Sequence, residues 1–430
     1  MSEKQILRRF LIRVLIVSII FTGFFSIYYL KRMIPEKLRV VCGEESEICL
    51  QLPLAATLTA QDQEVTLTDA SNIPSDQIHV LLDEGFSLYS EETGTYGLEL
   101  NLFGLFHFQD IEVEVVDNEM VIPCGCPIGI YLETDGILIV GTGPVTGLDG
   151  VTSEPAAGIV HSGDYILEAN GTPVSTKEEL VEEICAAGGE DVILRIRRDN
   201  QEVDVRIPVV QTAADEYKAG IWVRDDTQGI GTLSYVDMDG GFGALGHGIS
   251  DSDTGQLIED AGGSLYEASI RSIIKGTMGT PGSLAGVINY SQSNFMGEIT
   301  KNTDRGIYGQ LSGSAEEEFA QLECMPVGYR QDVSVGPAYI RCSVDGEVRD
   351  YEIRITRVDL SSRNNKGMVI QVTDPELLNL TGGIVQGMSG SPIIQDGKMV
   401  GAVTHVFVQD STKGYGIFLE NMLDEAAESK

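Results

Sequence analysis

The chain has 430 residues, a hydrophobic fraction of 42% and a formal net charge of -36. This length suffices for several domains with real hydrophobic cores. So acidic a surface repels nucleic acid, which we therefore exclude as a partner. The 49 glycines and the scarcity of long helix-forming stretches favour a mainly β protein with many turns.

The N-terminal part of the chain is basic and contains the uncharged run "VLIVSIIFTGFFSIYYL" (14–30). This run reaches the lower limit for spanning a bilayer, and the flanking Arg13 and Lys31 can extend to the two interfaces. A cleavable signal peptide is the alternative, but no small-residue cleavage site follows the run. We predict that 1–39 form a cytoplasmic tail, a single-pass transmembrane anchor and a linker at Pro35–Arg39. The acidic bulk is expected outside the cytoplasm.

Residues 40–120 alternate polar and apolar side chains between turns, which predicts strands and a small β-domain of unassigned purpose. Cys42 and Cys49 could close a small loop outside the cell. The spacing Cys124-x-Cys126 fits neither a zinc knuckle nor a thioredoxin-like motif. The five histidines are scattered and no HExxH is present, so we predict no metal site and no cofactor.

The segment 121–211 mixes strand and helix patterns. Its capping box, Ser175-x-x-Glu178, predicts the start of a helix. The apolar face expected to be buried comprises Leu180, Val181 and Ile184.

Three small-residue motifs in this segment, "PAAG" (155–158), "GD" (163–164) and "NG" (170–171), resemble those of the PDZ domain. The resemblance implies an α+β domain that binds a peptide as an added strand, with the peptide carboxylate on backbone N–H groups of a preceding loop. That loop would be Pro127–Ile130. The expected peptide-binding residues are Ile128, Gly129 and Ile130. A PDZ-shaped spacer without a ligand is the alternative.

Residues 212–430 consist of short strands and glycine turns, which favours a pair of six-stranded barrels or a sandwich. Within them, "GMSGSP" (387–392) precedes a strand. A serine peptidase needs a nucleophilic hydroxyl and backbone N–H groups aimed at the oxyanion. We predict Ser389 as the nucleophile and the N–H groups of Gly387 and Ser389 as the oxyanion hole. Ser391 is the alternative nucleophile.

The nucleophile also needs an imidazole to take its proton. His247 lies between two glycines with little bulk to bury it, whereas the alternation of its strand could bury His405. We predict His247 as the general base and keep His405 as the alternative.

A carboxylate should orient this imidazole. Asp374 ends an apolar strand before a proline and lies fifteen residues before Ser389, close enough for an adjacent strand. The residues alone leave it undecided, because Asp-Pro is also typical of a turn. The competing carboxylates are Asp251, Asp253 and Asp396.

The stretches "WVRDDTQGIGTL", "GALGHGISD" and "GGIVQGMSGSPIIQDGKMVGAVTHVF", behind an anchor and a PDZ-like segment, resemble the stage IV sporulation protein B peptidases of endospore-forming bacteria. The resemblance implies a chymotrypsin-like β-barrel serine peptidase domain at 212–430. It places the catalytic roles on His247, Asp374 and Ser389. The short spacing between the last two departs from chymotrypsin and implies a rearranged or reduced second half.

The resemblance further implies a signalling endopeptidase in the forespore membrane that faces the intermembrane space. Such proteins cleave a membrane-bound regulatory complex, which triggers intramembrane processing of a mother-cell sigma factor. They also cut themselves near the N-terminus and so leave their anchor. The expected partners are this substrate, a second copy of the chain, a peptide at the PDZ domain and the membrane. A non-catalytic PDZ scaffold and a general quality-control protease are the alternatives.

Overall fold

The computed structural model describes residues 3–427 except 51, 53, 62–63, 69–74, 104–105, 200, 259–261 and 278. It is mainly β, with an N-terminal apolar helix and a closed β-barrel, as predicted. Helix α1 spans Glu3–Met33. Its segment Arg8–Met33 is long and apolar enough to cross a membrane, and none of its most apolar window is buried against the rest of the protein.

A small β-domain follows the helix. Its strands are β1 (Lys37–Val41), β2 (Ser46–Ile48), β3 (Ala55–Ala60), β4 (Thr66–Thr68), β5 (Gln77–Leu81), β6 (Phe86–Tyr89), β7 (Gly94–Leu102) and β8 (Phe106–Val116). They form a five-stranded sheet, β1-β8-β7-β3-β5, and a three-stranded sheet, β2-β6-β4. The alternating apolar side chains of both sheets fill one core.

Two expectations for this region are wrong. The segment Pro35–Arg39 is not a linker, because β1 pairs in parallel with β8 and buries Leu38 completely. Cys42 and Cys49 are not bonded to each other. Their thiols donate to different backbone carbonyls, those of Glu91 and Asp83.

The next part of the chain forms a unit around helix α2. Its elements are β9 (Met120–Pro123), β10 (Pro127–Thr142), β11 (Val145–Thr146), β12 (Thr152–Ser153), β13 (Tyr165–Ala169), β14 (Thr172–Pro173), α2 (Lys177–Ala186), β15 (Val192–Arg198), β16 (Gln201–Ile207), β17 (Val210–Ala213), β18 (Glu216–Lys218) and β19 (Ile221–Asp237). Apolar side chains between positions 137 and 223 form a separate core under α2. We call this part, 137–223, the α2 unit.

Helix α2 begins one residue later than its sequence predicts. Thr176 is the N-cap, and its capping box closes with Glu179 rather than Glu178. The Glu179 carboxylate also accepts hydrogen bonds from the backbone and hydroxyl of Ser175, so the two adjacent hydroxyl residues share one carboxylate. This register buries Leu180 and Ile184 but leaves Val181 55% exposed, which corrects the predicted face.

The remaining elements are β20 (Gly241–Ala244), β21 (Gly263–Ile274), β22 (Ser283–Ile288), β23 (Phe295–Thr303), β24 (Gly306–Leu311), α3 (Gly313–Phe319), β25 (Met325–Pro326), β26 (Gly336–Ser343), β27 (Val348–Val358), β28 (Met368–Val372), α4 (Pro375–Thr381), β29 (Pro392–Gln395), β30 (Lys398–Phe407), β31 (Asp410–Phe418) and α5 (Leu419–Ala427). Strands β26-β27-β28-β31-β30-β29 close a six-stranded barrel.

The part of the peptidase region that precedes this barrel does not form a second, separate barrel among the described strands. Strands β20, β21, β23 and β24 belong to a large sheet that also contains β9, β10, β19 and, from the α2 unit, β13, β14, β15 and β16. The sheet continues across the expected boundary at 211/212 because β10 and β19 pair along most of their length.

The two adjacent positions on α2 give a direct test of its register. Leu180→Ala should destabilise the α2 unit by about 2–5 kcal/mol, because it opens a cavity in a closed core. Val181→Ala should stay within about 0.5 kcal/mol, because its side chain is exposed. Urea unfolding followed by the fluorescence of Trp222, the single tryptophan, at the start of β19, measures both. Equal losses in the two variants would contradict the observed register.

Candidate active site

The loop that carries Ser389 lies between α4 and β29. Gly387 and Gly390 adopt φ angles of +99° and +97°, in the region that side chains disfavour, which explains the two glycines around the serine. The Gly390 N–H donates to Val403 O at 2.7 Å, and the Val403 N–H donates to Ser391 O at 2.9 Å. These bonds attach the loop to β30, so its conformation is fixed by the barrel.

The same loop is also held from the neighbouring sheet. In β19, the Thr232 N–H donates to Ser389 O at 3.1 Å and the Thr232 hydroxyl donates to Gly387 O at 2.8 Å. A Cβ atom on Gly390 would overlap Thr232 O and the backbone of Leu245. The nucleophile loop therefore lies against the strands that lead to the histidine, and only glycine permits this approach.

The backbone around Ser389 leaves two donors available. Within the described part of the chain, no backbone acceptor pairs with the N–H groups of Gly387 and Ser389, although the neighbouring loop amides are bonded. Unpaired N–H groups of a partly exposed serine and of the residue two positions before it are what an oxyanion hole requires. Ser391 differs, because its side chain is fully buried and its hydroxyl donates to Met388 O at 2.7 Å. The structure thus favours Ser389 over Ser391.

His247 follows a strained turn after β20. Leu245 and Gly246 both have a φ of +69°, a conformation that costs roughly 1–2 kcal/mol for a residue with a side chain such as leucine. Strain of this kind persists where surrounding contacts impose it, commonly at functional sites. A Cβ atom on Gly246 would lie 3.0 Å from Cγ2 of Thr404, so the glycine lets the turn approach β30.

The His247 ring is held by a backbone carbonyl. Its Nδ1 lies 2.9 Å from Gly248 O, which assigns the proton to Nδ1 and leaves Nε2 as the basic nitrogen. Burial lowers the pKa of His247, and the bond to the Gly248 carbonyl opposes this shift in part. At neutral pH the imidazole is therefore neutral and able to accept a proton.

His405, the alternative base, lies at the same site. Its ring centroid is 5.1 Å from that of His247. The expectation that strand alternation buries it is wrong: β30 changes register between Val403 and Val406, and the side chain is exposed. Partial desolvation, together with the nearby His247 and Lys366, lowers the pKa of His405 to about 4.

The Ser389 hydroxyl points at neither histidine. It donates to Thr404 O at 2.7 Å. No hydrogen bond joins it to His247 among the described residues, an arrangement often found where a catalytic pair tightens only with substrate. Thr404, Thr232 and Gly248 are the site residues that sequence reasoning missed. Each acts through its backbone or through a contact between distant strands, so no local motif marks it.

Asp374 is the N-cap of α4. Its carboxylate accepts hydrogen bonds from the N–H groups of Glu376 at 2.8 Å, Leu377 at 3.0 Å and Glu352 at 3.3 Å. Pro375 occupies the first helical position, where its missing N–H costs nothing. The structure does not join this carboxylate to His247 through any hydrogen bond within the described ranges.

The competing carboxylates are also engaged elsewhere. Asp251 is buried and paired with Arg224, which also binds Asp253 at 2.7 Å. Asp396 has a φ of +50° and lies exposed in the β29–β30 turn. The group that faces Nδ1 of His247 is therefore the Gly248 carbonyl. Among the described side chains, no cluster of three or more His, Cys, Asp or Glu could hold a metal ion.

Comparison with known families identifies the region that contains this site. Residues 215–423 match the family model described as SpoIVB peptidase S55. This region of the chain is a SpoIVB peptidase domain. No curated protein matches the chain. The matched SpoIVB region includes the Ser389 loop, the His247 turn and the closed barrel, and the activity of the family is that of a serine peptidase.

One prediction for the part of the chain before the SpoIVB region is wrong: Pro127–Ile130 do not form a peptide-binding loop. Ile128, Gly129 and Ile130 lie in β10, not in a loop. This strand is paired on one edge with β19 and on the other with β21, so its N–H groups have no free edge to offer a peptide carboxylate. Ile128 and Ile130 are buried in the peptidase core.

The two lowered histidine pKa values have a measurable consequence. A general base must be neutral, so a lowered pKa for His247 moves the acidic limb of the kcat/KM profile below pH 6.5, the ordinary histidine value. A pH series of peptide hydrolysis checks this. His405→Gln is the matched control and should keep an acidic limb. Loss of that limb in the control would make His405 the titrating base.

Proposed function

We propose that this SpoIVB family member is a membrane-anchored, self-cleaving signalling serine endopeptidase. It cleaves a membrane-bound regulator during endospore formation and so triggers intramembrane processing of a mother-cell sigma factor. The observation that carries the peptidase step is the partly exposed Ser389, whose own N–H and that of Gly387 are unpaired among the described residues, on a loop that packs against the turn of His247. Helix α1 supports the anchor. The family resemblance is the reason to place the acidic domains in the intermembrane space.

In the proposed mechanism, the Ser389 hydroxyl first leaves Thr404 O by rotation about its Cα–Cβ bond. His247 Nε2 takes the proton while Oγ attacks the scissile carbonyl carbon. The N–H groups of Gly387 and Ser389 then bind the oxyanion, and each such donor contributes about 100- to 1,000-fold in rate. His247 returns the proton to the leaving amine, and water hydrolyses the acyl-enzyme by the same steps.

The third catalytic residue stays a prediction that rests on family resemblance. A carboxylate at Asp374 would have to give up its bonds to α4 to reach His247, whereas the Gly248 carbonyl already orients the ring. The α2 unit as a PDZ domain that recognises substrate likewise stays a prediction. Its separate core around α2 is compatible with an independent recognition module.

Self-cleavage can be followed on the full chain in detergent. Intact mass over time should show loss of the N-terminal anchor in the wild type, and Ser389→Ala should remain full length because it lacks the nucleophile. Ser391→Ala is the matched control and should still cleave, because its hydroxyl is buried. Truncation of purified Ser389→Ala at the wild-type rate would exclude self-cleavage by this serine. Labelling of Ser391 by a fluorophosphonate would identify Ser391, rather than Ser389, as the nucleophile.

Two substitutions separate the roles of Asp374. Asparagine caps helices nearly as well as aspartate, whereas alanine loses about 1 kcal/mol. From the observed cap we expect Asp374→Asn to keep stability. From the catalytic role that the family resemblance predicts, we expect the same variant to lower kcat/KM at least about 1,000-fold. Asp374→Ala should in addition be less stable. Thermal unfolding and peptide hydrolysis measure the two effects. An asparagine variant of unchanged stability whose kcat/KM stays within about tenfold would leave Asp374 as a helix cap alone.

A further inference from the structure

The junction between α1 and the body of the protein is rigid. The helix ends at Met33, and the next two residues, Ile34 and Pro35, are buried. Strand β1 then starts at Lys37 and enters the five-stranded sheet. Without a flexible linker, the surface around this junction stays at a fixed distance from the end of the apolar helix.

A cavity of about 820 Å³ lies at this junction. It is lined by cationic side chains from the helix end, from β1 and from the peptidase region: Lys31, Arg32, Lys37, Arg39, Arg305, Arg330 and Arg363. Only three carboxylates share the lining: Glu36, Glu114 and Asp424. The lining therefore carries more cations than carboxylates, in a chain whose net charge is -36.

The deep cations are neutralised by the protein itself. Arg39 binds Glu114 and, at 2.8 Å, Asp424, while Arg330 pairs with the buried Glu420. Arg305 binds Glu425 at 3.1 Å, but its Nε is buried without a hydrogen-bond partner. These pairs form the floor of the cavity.

The cations at the rim are more available. Lys31 and Arg32 are exposed, and neither forms an ion pair with any described carboxylate. Arg363 is 68% exposed on its side chain, and its one ion pair within the described ranges is with the equally exposed Glu36. Lys37 is 43% exposed, shares Glu114 with Arg39 and also lies 3.7 Å from the exposed Glu112. An anion at this rim gains several cations at once without displacing a buried pair.

The position of the rim selects the kind of anion. The uncharged run of α1 ends at Leu30, so the following Lys31 and Arg32 lie at the depth of the lipid headgroups when the helix spans a bilayer. An acidic domain is repelled by an anionic membrane surface, whereas each basic residue at that surface contributes about fivefold to binding. The membrane-side rim is therefore the place where the protein can bind lipid phosphates.

We propose that the cavity at the end of α1 binds the phosphodiester headgroup of an anionic phospholipid, which holds the acidic domains against the membrane. The site extends beyond the proposed peptidase function and rests only on its membrane anchor. Its ligand is a lipid phosphate held by Lys31, Arg32, Lys37 and Arg363.

The test uses the full chain with Ser389→Ala, so that no cleavage interferes. Native mass spectrometry in detergent compares retention of phosphatidylglycerol and phosphatidylcholine. We expect at least a tenfold preference for phosphatidylglycerol. Replacing the four rim cations with glutamine should reduce this to about twofold or less. The matched control replaces four exposed arginines outside the cavity and should keep the preference: Arg206, Arg271, Arg354 and Arg357.

Other outcomes would overturn the proposal. Equal loss in the rim and control variants would mean that only net charge matters. Displacement of phosphatidylglycerol by millimolar inorganic phosphate would indicate a site for a soluble anion. If the fourfold variant unfolds, a double variant with glutamine at Lys31 and Arg32 keeps the test valid, because these two residues lie outside any folded core. This double variant should lose at least half of the preference for phosphatidylglycerol on a logarithmic scale.

Alkaline extraction of membranes separates the lipid site from the anchor. A wild-type-length chain that is extracted from membranes refutes the anchor and with it the lipid site. A chain that stays in the membrane but shows no lipid preference refutes the lipid site alone. Neither result depends on peptidase activity.

Discussion

The active site depends on one contact between two sheets, the clamp of Thr232 on the serine loop. Its backbone N–H and its hydroxyl bind the carbonyls of Ser389 and Gly387, across 155 residues of chain in the second case. Gly390 makes the clamp possible because any side chain there would overlap β19 and the turn of His247. A nucleophile loop rich in glycine is flexible by itself, so its conformation must be imposed from outside. The barrel holds one side of the serine loop, and β19 holds the other.

The same clamp connects the α2 unit to catalysis. Strand β19 pairs with β10 from Ile221 to Thr232, so it begins in the α2 unit and reaches the serine loop at Thr232. Strand β10 in turn has β19 on one edge and β21 on the other. The α2 unit and the peptidase region therefore cannot shift relative to each other along these strands without breaking the hydrogen-bond ladder. The geometry of Ser389 is in this way coupled to the position of the α2 unit.

The electrostatics of the site follow from burial rather than from a nearby carboxylate. His247 is oriented by a neutral carbonyl, and desolvation keeps its imidazole uncharged at neutral pH. A neutral ring can accept the serine proton, although a carbonyl stabilises the resulting imidazolium less than a carboxylate does. With the Ser389 hydroxyl bonded to Thr404, the observed state is a resting arrangement in which the parts are adjacent but not yet engaged.

Sequence alone determined the features that depend on neighbouring residues. The apolar run of α1, the glycines that shape the loop of Ser389 and the approximate position of α2 are all local patterns, and the serine peptidase family could be recognised from them. Even so, the N-cap of α2 was misplaced by one residue, because Ser175 and Thr176 can both cap a helix and packing decides between them.

Only the tertiary structure decided what depends on distant partners. Gly129 looked like part of a binding loop until both edges of its strand were seen to be occupied, by residues about a hundred positions away or more. A register change in β30 exposes His405, and the alternation of polar and apolar residues does not reveal that change. The Asp374 carboxylate accepts hydrogen bonds from residues of both α4 and β27. Local propensities act over a few residues, whereas strand pairing, side-chain exposure and the cationic cavity at the end of α1 arise from contacts between segments far apart in the chain.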